Sequence, residues 1–97
     1  MATYVTLYNF TDQALPNIKH TLRRAAAAKQ AATQAGVTVK EILWLQGQYN
    51  LLVISESSDE VTAAAFSLNI LKQGNLRGQT LRAITAAEME KILEKVG

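Results

Sequence analysis

The stretch VTVKEILWLQGQYNLLVISE (residues 37–56) decides the fold. Two runs rich in β-branched and large apolar residues, VTVKEILWLQ (37–46) and YNLLVISE (49–56), are separated only by Gly47 and Gln48. Strand-forming runs on either side of a two-residue loop with glycine first read as a β-hairpin with a type II′ turn, because glycine takes the positive φ of that position without steric cost. A hairpin in the middle of the chain gives the flanking segments their meaning.

Before it, TYVTLYNF (3–10) alternates as a third strand would, with Val5 and Leu7 on one face and Tyr4, Tyr8 and Phe10 on the other. Thr11 and Asp12 break the pattern, Pro16 suits a first helical turn, and a long helix is expected from there to about Ala35. Gly36 follows as the residue that ends a helix in the left-handed region. After the hairpin, SSDEVTAAAFSLNILKQGN (57–75) reads as a second helix, with Ser57 and Glu60 at capping-box spacing and Gly74 as its exit. LRGQTLRA (76–83) is a fourth strand. TAAEMEKILEKVG (85–97) repeats the capping-box spacing with Thr85 and Glu88, and it gathers Met89, Ile92, Leu93 and Val96 on one helical face.

The order βαββαβ followed by a third helix describes a ferredoxin-like α+β domain over residues 1–97: a four-stranded antiparallel sheet with two helices on one face. ILWL and LLVI place large apolar residues on both faces of the hairpin strands, whereas two helices cover only one. The second face needs the third helix or another subunit, and dimerisation through that face is expected.

Composition narrows the function classes. The chain has 97 residues, 48% hydrophobic and 19% charged, which is globular rather than disordered. A net charge of +2, with basic and acidic residues interspersed, gives no footprint for nucleic acid. The densest basic stretch, TLRRAAAAKQ (21–30), reads as a solvated helix face. Without cysteine and with one histidine there is no disulfide framework, thiol nucleophile or His-rich metal site, and no metal or nucleotide cofactor is expected. The start of the chain lacks a signal pattern and no apolar run approaches a membrane span, so a soluble, cytoplasmic protein without membrane partners is expected.

At this point the residues resemble the GYD family, small proteins named for a Gly-x-Tyr-Asp stretch at the hairpin. The resemblance rests on MATYVTLYNFTDQ, NIKHTLRRA, GQYN, SSDE and LRGQTLRAITAAEMEKIL, nearly the whole chain. It implies a dimeric α+β barrel, in which two ferredoxin-like sheets pack face to face, and it implies no particular reaction. Asn50 stands where the family motif has Asp, so a role needing a carboxylate there does not carry over. Leu22, Ala26 and Ala28 stand where related sequences tend to have Pro, Glu and a large aromatic, and with only methyl groups at 25, 28 and 32 the helix must either approach the sheet closely, as dense interior packing favours, or leave a void with its mouth near Arg24.

Candidate chemistry is sparse. Tyr49 suits a half-buried strand, and Asn50 can orient or donate but has no titratable proton for base catalysis. Glu56 and Asp59 flank the start of the second helix, where carboxylates cap and complement the dipole. Arg77 and Arg82 lie on opposite faces of the fourth strand, with Thr80 sharing the face of Arg82, and a buried arginine demands an acidic partner or an anionic ligand. Arg24 sits at the edge of the helix-one stripe Thr21, Ala25, Ala28, Ala32 and Ala35, where it either snorkels to water or serves a pocket. Trp44 reads as core or interface, and His20 as surface.

Arg24, Tyr49, Asn50, Arg77, Thr80 and Arg82 are therefore the ligand-binding candidates, and catalytic residues are not assignable. The leading expectation is a small homo-oligomeric binding or assembly module, with a small organic anion as the ligand such arginines would attract. The alternative is a cofactor-free enzyme, monooxygenase- or isomerase-like, with a pocket between sheet and helices, an analogy that rests on fold alone. No triad, paired-carboxylate site or phosphate loop is visible.

Overall fold

The computed structural model describes all residues, Met1–Gly97. Its elements are β1 (Ala2–Phe10), a 3₁₀ segment (Leu15–His20), α1 (Thr21–Gln34), β2 (Thr38–Trp44), β3 (Leu51–Ser57), α2 (Glu60–Leu71), β4 (Leu76–Ala83) and α3 (Ala86–Glu94). The four strands form one antiparallel sheet in the order β2-β3-β1-β4, the ferredoxin-like arrangement expected.

Three local readings are corrected. The hairpin loop is longer than two residues. Leu45 N–H donates to the Asn50 carbonyl at 2.7 Å, leaving residues 46–49 as the loop, although Gly47 does take a positive φ of 130°. The residues Pro16–His20 form 3₁₀ turns with a kink at Asn17 rather than the first turns of α1. The α2 cap is Asp59 and not Ser57. Ser57 is the last residue of β3 and is fully buried, its hydroxyl exchanging hydrogen bonds with the backbone of Asp59. Asp59 then accepts from Val61 N–H and the Thr62 hydroxyl, and these bonds hold its carboxyl below its ordinary pKa. The Thr85–Glu88 capping box of α3 forms as read from sequence.

Register assigns the two faces of the sheet. Thr6, Tyr8, Leu51, Val53, Val39 and Ile42 point to the helix layer. A small core of Ala32, Val37 and Val39, joined by Ile42, Val53 and Phe66, ties the C-terminal end of α1 to the sheet. Val5, Leu7, Leu43, Leu52, Ile54 and Leu81 form the opposite face, paired across strands as Val5 with Ile54 and Leu81, and Leu52 with Leu7 and Leu43. No element lies over this face. Helix α3 does not fold back across it: it packs extensively against nothing, and Met89, Ile92, Leu93 and Val96 are all exposed.

This leaves the chain open for its size. The radius of gyration is 14.7 Å, against about 12.5 Å for a compact 97-residue domain. Its accessible surface is 6722 Å², whereas a folded monomer of this mass exposes about 5,500 Å².

Candidate functional site

Beneath α1 lies a hollow of about 390 Å³, bounded by Ala25, Ala27, Ala28 and Ala31 above and by Tyr8, Val39, Ile42, Leu51 and Val53 of the sheet below. Its existence follows from the sequence of α1. Four residues per two turns face inward as methyl groups, so the helix presents nothing long enough to reach the strands except near Ala32. Helix α2 contributes Phe66 and Ile70 to the far wall, and the two helices do not pack along each other, so the trough between them stays open. Fifteen of the twenty lining residues are hydrophobic.

One end is closed by a polar latch. Thr11 donates its hydroxyl to the Gly74 carbonyl at 2.6 Å and its N–H to the Asn75 carbonyl at 3.1 Å, and Gln13 Nε2 reaches the Gln73 carbonyl and Asn75 Oδ1. These bonds fasten the β1–α1 connection to the α2–β4 turn. Near the N-terminal end of α1, Thr21 lines the hollow while accepting a 3.0 Å hydrogen bond from Trp44 Nε1. Trp44 thus sits at the rim, partly exposed, rather than in the core.

Of the candidates read from sequence, Arg24 lines the hollow and the other five do not. Arg82 instead pairs with Glu88 at 2.7 Å, donates to the Ala83 carbonyl and lies 6.0 Å from the Tyr4 ring centre, joining β4 to α3. Thr80 exchanges a 3.1 Å hydrogen bond with Thr6. Arg77 curls over the sheet edge to the carbonyls of Leu76 and Leu71, where a cation suits the end of α2. Asn50 accepts from Phe10 N–H and is a hairpin fastener, and Tyr49 is half-buried in the loop before it. His20 is exposed, beside Arg23.

Sequence reading passed over two lining residues. Tyr8 is buried against the hollow, and burial raises its phenol above the ordinary pKa, opposed in part by the Thr6 hydroxyl. It stays a neutral donor across the physiological range. Lys29 lies on the opposite flank of the alanine stripe from Arg24. The signal was available in the helical spacing of Arg24, Ala28 and Lys29, where the helix carries a cation on each side of its inward arc. No three His, Cys, Asp or Glu residues are grouped to hold a metal ion, and no helix is long and apolar enough to cross a membrane.

The fold, the hairpin and the open second sheet face together define an α+β domain of the kind the sequence resembled. The family model for the GYD domain matches residues 4–93, and the chain belongs to the GYD domain family. No curated protein and no solved structure matches it significantly.

Proposed function

We propose that the protein is a homodimeric binding module, two copies joined through their uncovered sheet faces, each holding a small, mainly apolar molecule in the hollow beneath its alanine-rich helix. The hollow carries the binding half of this reading. Its volume of about 390 Å³ falls within the roughly 300–1,000 Å³ of ligand pockets, and its apolar walls with a few polar groups match their usual lining.

The assembly half rests on area. The surface in excess of a compact monomer is about 1,200 Å², comparable to the roughly 800 Å² or more that each partner buries in a stable interface. The Val5, Leu7, Leu43, Leu52, Ile54 and Leu81 face is apolar at its centre and carries the Lys40–Glu56 ion pair at its margin, an anatomy suited to sheet-on-sheet packing. The hollow opens on the helix side, so such a dimer leaves both binding sites accessible.

Calorimetric titration with 1-octanol tests the binding reading. Saturable uptake of one molecule per chain, abolished in Ala28→Phe, is expected. Absence of saturable heat in the wild-type protein would overturn it.

A further inference from the structure

We infer that the hollow selects an organic anion, a compact apolar body carrying one carboxylate or sulfonate, with the charge seated at the rim in the joint field of Arg24 and Lys29. This rests on the hollow being a binding site and adds the class of ligand.

Three observations carry it. Arg24 and Lys29 both border the hollow, and neither takes part in either of the two ion pairs, Lys40–Glu56 and Arg82–Glu88. No aspartate or glutamate is among the lining residues, so nothing at the site competes for these cations. The surrounding roof is of one sign as well. Between Asp12 and Glu41 the sequence has no acidic residue, and the segment that roofs the hollow carries Lys19, Arg23, Arg24 and Lys29, while Lys40 is paired with Glu56. A net charge of only +2 hides this asymmetry, because the carboxylates of the chain lie elsewhere. A positive rim above a low-dielectric wall raises the local concentration of anions and strengthens their attraction.

The interior sets the other half of the ligand. Val39, Ile42, Val53, Phe66 and Ile70 offer no partners for a polar body, and an unpaired polar group buried among them would be penalised. A multiply charged, sugar-like or phosphate-rich molecule is therefore disfavoured, and the single anionic group belongs at the mouth. The neutral Tyr8 hydroxyl is the one donor on the sheet side beyond that rim.

The test compares octanoate, 1-octanol and octylammonium by calorimetry at low salt, on the wild-type protein and on the Arg24→Gln/Lys29→Gln double variant. Both changes are on exposed side chains, so folding, checked by circular dichroism, is expected to be unaffected. Octanoate should bind the wild-type chain at least tenfold more tightly than octanol, with octylammonium weakest. The double variant should bring the ratio of octanoate to octanol affinity down to about one. Equal binding of octanoate and octanol by the wild-type chain, or a ratio unmoved in the double variant, would overturn the anion preference while leaving the hollow a binding site. Binding of none of the three probes would overturn both.

Discussion

Asn50 accepts the backbone N–H of Phe10 through Oδ1 at 3.0 Å, while its own N–H donates to the Tyr8 carbonyl at 2.8 Å. One residue thereby binds the start of β3 to the end of β1, and the residue that departs from the family motif has a structural task that an acceptor oxygen fulfils. Asn50→Asp keeps that acceptor and should melt within a degree or two of the parent. Asn50→Ala leaves the Phe10 N–H without its partner and should cost about 1 kcal/mol in chemical denaturation. Equal stability of Asn50→Ala and the parent would remove this role.

The same residue explains why the hairpin was misread. Gly47 and Gln48 satisfy the identity rule for a two-residue turn, but the loop length is set by where cross-strand bonds begin. Asn50 serves β1 with its side chain and closes the loop with its carbonyl to Leu45, so the connection widens to four residues. Composition does not reveal such a tertiary hydrogen bond. Strand β4 and the α3 capping box were legible because each is marked locally, the strand by the Gly74 exit of α2 just before it and the helix by a Thr-x-x-Glu spacing. At α2 two candidate caps lay two residues apart, and the strand claimed Ser57. The alanines of α1 admit two readings, close approach of the helix to the sheet, which interior packing density favours, or a void with its mouth near Arg24, and the structure has the void. Arg77 and Arg82 were not separable from it, because their partners, the Leu71 carbonyl and Glu88, come from neighbouring elements.

Gly78 pairs across from Tyr8 in the sheet. A Cβ there would collide with the Leu7 carbonyl oxygen and lie 2.8 Å from Tyr8 Cδ1. Gly78→Ala therefore displaces the Tyr8 ring or bends β4, and a loss of about 1–3 kcal/mol is expected by urea denaturation. A stability equal to the parent would mean that the strand relaxes freely at this point.

The Arg82 guanidinium, assisted by the Thr85 N–H, holds the Glu88 carboxyl at about 2, below its ordinary 4.5. A carboxyl with a depressed folded-state pKa contributes stability that is complete above about pH 4.5 and is lost as pH falls through about 2. Helix α3 should fray over that interval, and Glu88→Gln should remove the pH dependence. A carbon-detected titration placing the Glu88 midpoint near 4.5 would contradict the pairing.

Leu52 lies at the centre of the uncovered sheet face, between Leu7 and Leu43. Sedimentation at micromolar concentration should give twice the 10.6 kDa mass of the chain, and Leu52→Glu, by desolvating a charge in that face, should return it to monomer. A wild-type monomer would remove the assembly half of the proposal.

The most direct measurement is the thermal melt of Ala28→Phe. Ala28 stands at the middle of the α1 arc above the hollow, and a ring placed there has about 390 Å³ to occupy. Filling real space is neutral or stabilising, whereas overpacking a tight helix–sheet contact costs about 1–3 kcal/mol. A melting temperature equal to or above that of the parent, together with loss of octanol and octanoate binding, is the predicted result. A melt lowered by many degrees would mean that α1 already rests on the sheet, and there would be no cavity for a ligand to enter.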